Sequence, residues 1–93
     1  MSERRNTAIN LMRQHRFAEA LPLFLRLTEL TPDDWWLFYM VGQCYRFINN
    51  FREAVNALKK AADLNPGNAN VFLALGIAHQ LAEDYKSAIV ALE

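Results

Sequence analysis

The stretch that decides the fold is Asp34–Pro66, which reads DWWLFYMVGQCYRFINNFREAVNALKKAADLNP. Apolar residues recur at helical spacing before and after the polar pair Asn49-Asn50, so the stretch predicts two helices joined by a tight turn. Asp34 is a good N-cap for the first helix, and Pro66 ends the unit. Both helices carry apolar residues on more than one face, and the unit therefore needs neighbours that bury them.

The rest of the chain copies this unit with a period of 34 residues. Chance would rarely align so many positions in one register with size and polarity kept, so the pattern predicts a stack of similar helix pairs. The small residues of the pattern let paired helices approach closely, which offsets the helix propensity lost at a glycine. The matched positions are Ala8, Gly42 and Gly76; Phe17, Phe51 and Tyr85; Ala20, Ala54 and Ala88; Leu21, Val55 and Ile89; Phe24, Leu58 and Leu92; Leu30 and Leu64; and Pro32 and Pro66.

This pattern resembles the tetratricopeptide repeat (TPR) family. The repeat of this family typically has a large aromatic residue, a Leu-Gly pair, a Tyr, an Ala, a Phe and a Pro, in that order. The resemblance implies an all-α fold, a right-handed superhelical stack of antiparallel helix pairs. It divides the chain into repeats at residues 1–34, 35–68 and 69–93, about 2.75 repeats in all. The first repeat is degenerate in its first helix. The second matches best, with Phe38, Val41, Gly42, Tyr45, Ala54, Leu58 and Pro66.

Six helices are expected, of which the last is truncated. A complete last helix would continue for a few more residues, and no polar capping helix follows Glu93. We therefore expect the chain to be a fragment of a longer repeat protein. The expected helices cover residues 3–14, 17–30, 35–48, 51–64 and 69–82, followed by a turn at Glu83-Asp84 and a last helix from Tyr85.

The resemblance implies that the first helix of each repeat lines a concave surface. In the second repeat this helix has more apolar residues than its own pairing needs, and such a surplus marks either burial or a binding surface. The sequence predicts a groove that takes an extended or helical peptide. For Trp36 and Phe47, exposure in the groove and filling of the seams between repeats are open alternatives, whereas Trp35 is expected to pack against the preceding repeat. The groove candidates are Arg5, Ile9, Trp36, Tyr39, Met40, Gln43, Phe47, Leu73 and Ile77.

One subset of the family binds the C-terminal carboxylate of chaperone tails through Lys, Asn and Arg side chains. In this chain the corresponding positions are Arg5 and Ile9, then Met40, then Asn70 and Ala74. Only the arginine keeps a charge. A carboxylate clamp is not expected, because a buried carboxylate needs several charge-assisted hydrogen bonds.

Composition and motifs argue against several other functions. Ten basic and ten acidic residues balance, which predicts no general attraction to nucleic acid or membrane. Cys44 is the single cysteine and is expected to be a buried, inert thiol. His79 is expected to pack, because it takes the place of Tyr45 in the repeat. No metal-ligand spacing, phosphate loop or acid–base pair is present, so we expect no metal, no cofactor and no enzyme activity.

The leading hypothesis is therefore a protein–protein interaction module that binds a peptide or helical segment of a partner in its concave groove. The alternatives are a self-assembling, homo-oligomeric scaffold that associates through the open C-terminal repeat, and a regulatory or chaperone segment of a larger protein. A polar N-terminus without a signal peptide's apolar core places the expected location in the cytoplasm.

Overall fold

The computed structural model describes the backbone of residues 2–92 and the side chains of residues 3–86. Within these residues the chain forms five α-helices and no strand. None of the described helices combines the length and the apolar character that crossing a membrane requires. The helices are α1 (Ser2–Arg13), α2 (Phe17–Leu30), α3 (Trp35–Phe47), α4 (Phe51–Leu64) and α5 (Ala69–Leu92).

The helices stack in the order of the sequence. Each packs mainly on the next one along the chain, and α3 also touches α5, in an elongated body of 46 × 29 × 20 Å. This confirms the predicted all-α stack of helix pairs. One apolar cluster joins α1, α2 and α3, and a second joins α4 and α5. Their fully buried members include Ala8, Ala20, Phe24, Leu37 and Cys44 in the first cluster and Ala54, Leu58 and Ala78 in the second.

Asp34 begins α3 as predicted. Its Oδ1 accepts a hydrogen bond of 3.1 Å from the backbone N–H of Trp36, which satisfies one of the free donors of the first turn. The other oxygen, Oδ2, accepts a bond of 2.9 Å from the Arg5 guanidinium in α1. One carboxylate therefore both caps α3 and ties α1 to it.

Asp34→Ala should lower the free energy of unfolding by about 1–2 kcal/mol. Loss of an N-cap typically costs about 1 kcal/mol, and a half-exposed ion pair adds a fraction of that. Denaturant unfolding of wild type and variant measures the difference. Asp33→Ala, one residue away and without a hydrogen bond among the described residues, is the matched control and should change stability little. Equal stability of wild type and Asp34→Ala would contradict the assigned cap.

The prediction of six helices is wrong, because α5 runs without a break from Ala69 to Leu92. The two earlier helix pairs turn at a residue with left-handed backbone, His15 with φ 59° and Asn49 with φ 68°. Glu83 stands at the same place in the third repeat and has no positive φ. Asparagine tolerates the left-handed region. Glutamate is a good helix former, and the left-handed conformation costs it free energy. Residues 83–84 therefore continue the helix.

The missing turn changes the surroundings of the repeated glycine. A Cβ placed on Gly42 would lie 2.6 Å from Cγ of Leu58 and 2.8 Å from its Cδ2, so only glycine allows α3 and α4 to pack this closely. A Cβ placed on Gly76 would meet nothing within 4 Å. His79, also predicted to pack, is exposed for the same reason. Within residues 2–92, one face of α5 thus lacks the helix that covers the equivalent face of α3.

Candidate partner-binding surface

Five groove candidates come from α3, and their spacing places them along one side of that helix. The structure leaves Trp36, Tyr39, Met40 and Gln43 half-buried, and only Phe47 is exposed, at 50%. This side of α3 is therefore partly covered by neighbours and partly open. We call it the α3 surface.

Arg5 and Trp36 meet at one end of the α3 surface. The guanidinium carbon of Arg5 lies 5.1 Å from the centroid of the Trp36 ring, within the range of a cation–π contact. The same guanidinium pairs with Asp34 at 2.9 Å. The indole in turn meets Phe24 edge to face, with centroids 5.9 Å apart. Ile9 is half-buried against the same core cluster. This end of the surface is occupied by contacts within the chain.

Tyr39 and Gln43 form the centre of the α3 surface. Nε2 of Gln43 donates a hydrogen bond of 3.2 Å to the Tyr39 hydroxyl, one helical turn away. Oε1 of Gln43 is buried and accepts no hydrogen bond, and Nε of Arg46 is buried and donates none. They are the two such side-chain atoms among the described residues. Buried polar groups are normally paired, so an unpaired acceptor and an unpaired donor in the same helix need an explanation.

Phe47 lies at the other end of the α3 surface. Its ring stacks on Phe17 of α2 with centroids 4.5 Å apart, and the Arg46 guanidinium lies 4.5 Å above the same ring. One face of the ring therefore fills the seam between α2 and α3, while half of its surface stays in solvent. Trp36 fills the same seam, where its ring meets Phe24 of α2.

Trp35 packs on Ala61, Ala62 and Val71 of the following helices α4 and α5. This corrects the expectation that it packs on the preceding repeat.

Leu73 and Ile77 lie on α5, 34 residues after Tyr39 and Gln43. They are exposed, Leu73 at 65% and Ile77 at 38%, beside Phe72 at 48%. These two aliphatic side chains extend the line of groove candidates from α3 to α5. Among the described residues no following helix covers this part of α5.

A separate cleft of the described residues lies away from the α3 surface. It has a volume of about 730 Å³ and is formed by the start of α4, with the turn before it, and the region of α5 around residues 79–86. Sequence reasoning missed it, because it treated Glu83-Asp84 as a turn. The cleft exists because α5 continues past Glu83 and carries Tyr85 and Lys86 alongside the start of α4.

Cys44 is part of the core, as predicted. Burial raises the pKa of its thiol to about 12, so the nucleophilic thiolate is scarce at neutral pH. Its Sγ lies 3.2 Å from Sδ of Met12 in α1. Among the described residues no three His, Cys, Asp or Glu side chains come together as a metal site would require.

Residues 37–68 match the tetratricopeptide repeat family. Anaphase-promoting complex subunit 3 of Dictyostelium discoideum is 26% identical over 65 residues, which are 70% of this chain and 7% of that protein. BBSome complex member BBS4 of Xenopus tropicalis is 26% identical over 73 residues, which are 78% of this chain and 14% of that protein. The chain thus spans a small part of the curated relatives that it matches.

The fold also occurs among solved structures. MamA 41-end from Desulfovibrio magneticus RS-1 superposes with a TM-score of 0.83 at 23% identity, over 92% of this chain and 49% of that one. The likeness shows a shared fold. The period of the sequence, the stacked helix pairs and the family match agree, and residues 37–68 form a tetratricopeptide repeat.

Proposed function

We propose that the α3 surface, extended by Leu73 and Ile77 on α5, binds a peptide or helical segment of a protein partner. Tetratricopeptide repeats generally mediate protein–protein interactions, and the proposal assigns that role to particular residues. The observation that carries it concerns two buried atoms, Oε1 of Gln43 and Nε of Arg46. Neither atom has a hydrogen-bond partner among the described residues.

A peptide group offers the two partners that these atoms lack. Its N–H can donate to Gln43 Oε1, and its C=O can accept from Arg46 Nε. Both atoms are buried in the unbound chain, so binding requires the side chains of Gln43 and Arg46 to reorient towards the peptide. The exposed apolar side chains of Phe47 and Leu73 then contact the partner's side chains. Aromatic residues with a polar group, such as Tyr39, are frequent anchors of interfaces.

Tyr39→Ala combined with Gln43→Ala should weaken partner binding at least about tenfold, because loss of one anchoring residue commonly costs 2 kcal/mol or more. Affinity capture with quantitative mass spectrometry, followed by titration of the captured partner, measures the loss. Lys59→Ala combined with Lys60→Ala, on the exposed side of α4, is the matched control. Circular dichroism checks that each variant keeps its helicity. Equal binding by wild type and the α3 variant would remove this surface from consideration.

A second candidate function is self-assembly, favoured by the open face of α5. Phe72, Leu73 and Ile77 are exposed there, and the space beside Gly76 is empty. Contiguous exposed apolar side chains on a soluble protein often mark an interface. In this proposal each chain has three repeat units, at residues 1–34, 35–68 and 69–93. Copies of the chain associate with each other through the last of these units. Light scattering should show a mass that grows with concentration, and a strict monomer at the highest concentration would refute self-assembly.

A further inference from the structure

We propose that the cleft between α4 and α5 binds an acidic peptide segment that carries one apolar anchor residue. This site is separate from the α3 surface and goes beyond the proposed function. Its volume of about 730 Å³ lies within the range of roughly 300–1,000 Å³ that is typical of sites for small ligands and short chain segments.

The charges of the cleft favour an anionic occupant. Arg52 and Lys86 both line it, and Glu83 is the one carboxylate among the described residues of its lining. Among the residues whose side chains are described, neither cation forms an ion pair; the ion pairs there are Arg5–Asp34 and Arg16–Glu19. An unpaired guanidinium offers a bidentate site for a carboxylate, and the lysine offers a second, less directional one.

The apolar part of the cleft provides a place for the anchor. Phe51 and Tyr85 meet edge to face with ring centroids 5.9 Å apart, and the almost fully buried Val55 also lines the cleft. Asn50 stands at the N-cap position of α4 without using its side chain as a cap, so its amide is available to a bound backbone. A mixed lining of aromatic edges, an aliphatic floor and free polar groups is typical of peptide sites.

The same observations favour a peptide over a nucleic acid or an anionic membrane. Nucleic-acid binding relies on several phosphate contacts at once, whereas the cleft offers two permanent cations close to a carboxylate. The chain as a whole has a formal net charge of zero, which gives a polyanion no long-range attraction. Short acidic segments need only the local pair of cations.

The test uses a fluorescent, end-capped peptide of eight residues with glutamates around one phenylalanine, and a matched peptide with glutamine in place of each glutamate. Anisotropy titration of the 93-residue chain should show binding of the acidic peptide and at least about tenfold weaker binding of the neutral one. Binding should weaken severalfold between about 50 and 300 mM salt, because exposed charges are screened. Amide NMR shifts should map to residues 49–56 and 79–86.

Charge-neutral variants separate the cleft from the rest of the surface. Arg52→Gln and Lys86→Gln should each weaken binding about threefold, and together about tenfold. Lys60→Gln removes the same charge from an α4 position outside the cleft and should leave binding unchanged. The α3 variant, Tyr39→Ala with Gln43→Ala, should also bind the acidic peptide normally, so failure of one site is distinguishable from failure of the other.

Three results would overturn the proposal. One is the absence of binding by the acidic peptide at low salt. Another is an equal loss with Lys60→Gln, which would mean attraction to the general surface. The third is binding of an oligodeoxythymidine or of phosphatidylserine vesicles at this cleft in preference to the peptide, which would assign it to another class of partner.

Discussion

Gly42→Ala should lower the free energy of unfolding by up to about 2 kcal/mol, whereas Gly76→Ala should raise it by up to about 1 kcal/mol. The two glycines occupy the same place in successive repeats, and alanine gains about 1 kcal/mol of helix propensity at either. At Gly42 the new methyl group would lie 2.6 Å from Leu58, whose side chain is fully buried and cannot retreat. Overpacking of this kind typically costs 1–3 kcal/mol.

Urea unfolding of the two variants, monitored by circular dichroism, measures both changes. The pair is its own control, because the substitution and the helical context are the same and only the neighbouring helix differs. Stabilisation by both variants would mean that α3 and α4 are less tightly packed than the distances indicate. Destabilisation by Gly76→Ala would mean that a helix does cover this face of α5 in solution.

Glu83→Gly should bend α5 into two helices. A glycine in the middle of a helix costs about 1 kcal/mol, while it enters the left-handed conformation without the roughly 1–2 kcal/mol that other residues pay. Together these terms shift the balance between straight and bent helix by at least about tenfold. The bent form places residues 85–92 against Gly76, as residues 51–58 lie against Gly42.

Spin labels at Leu73→Cys and Val90→Cys report the change. In the continuous helix the two positions are about 26 Å apart along the axis, at about 1.5 Å per residue, whereas paired helices lie about 8–10 Å apart. Cys44 is buried with its pKa raised to about 12, so it should escape labelling. Glu83→Ala is the control that removes the same charge and keeps the helix. A distance unchanged by Glu83→Gly would show that the residue does not control the turn.

The bent form has two further consequences. It covers the exposed face of α5, so any self-association through Phe72 and Leu73 should fall, and light scattering should report a smaller mass. It also takes Tyr85 and Lys86 out of their present position beside the start of α4, so the acidic peptide should bind more weakly. The conformation of α5 thus links its exposed apolar face to the cleft beside α4.

The candidate site was partly predictable. Spacing alone placed Tyr39 and Gln43 on one side of a helix, and the structure shows them hydrogen-bonded there. Spacing could not show that Arg5 already pairs with Asp34, because these residues lie 29 positions apart in the sequence. Nor could it settle Trp36 and Phe47, because a side chain that fills a seam with one face and meets solvent with the other satisfies both alternatives.

By itself, the sequence determined the repeat, the first two helix pairs, the N-cap at Asp34 and the glycine that lets α3 meet α4. These follow from local propensity and from a period that every copy shares, so they need no knowledge of the neighbours. Only the tertiary structure decided what the third copy does. Glu83 can continue a helix or end one, and that choice sets whether Gly76 is covered and whether a cleft forms beside α4. The stretch from Asp34 to Pro66 therefore defines the fold, while α5 decides which surfaces are left open to partners.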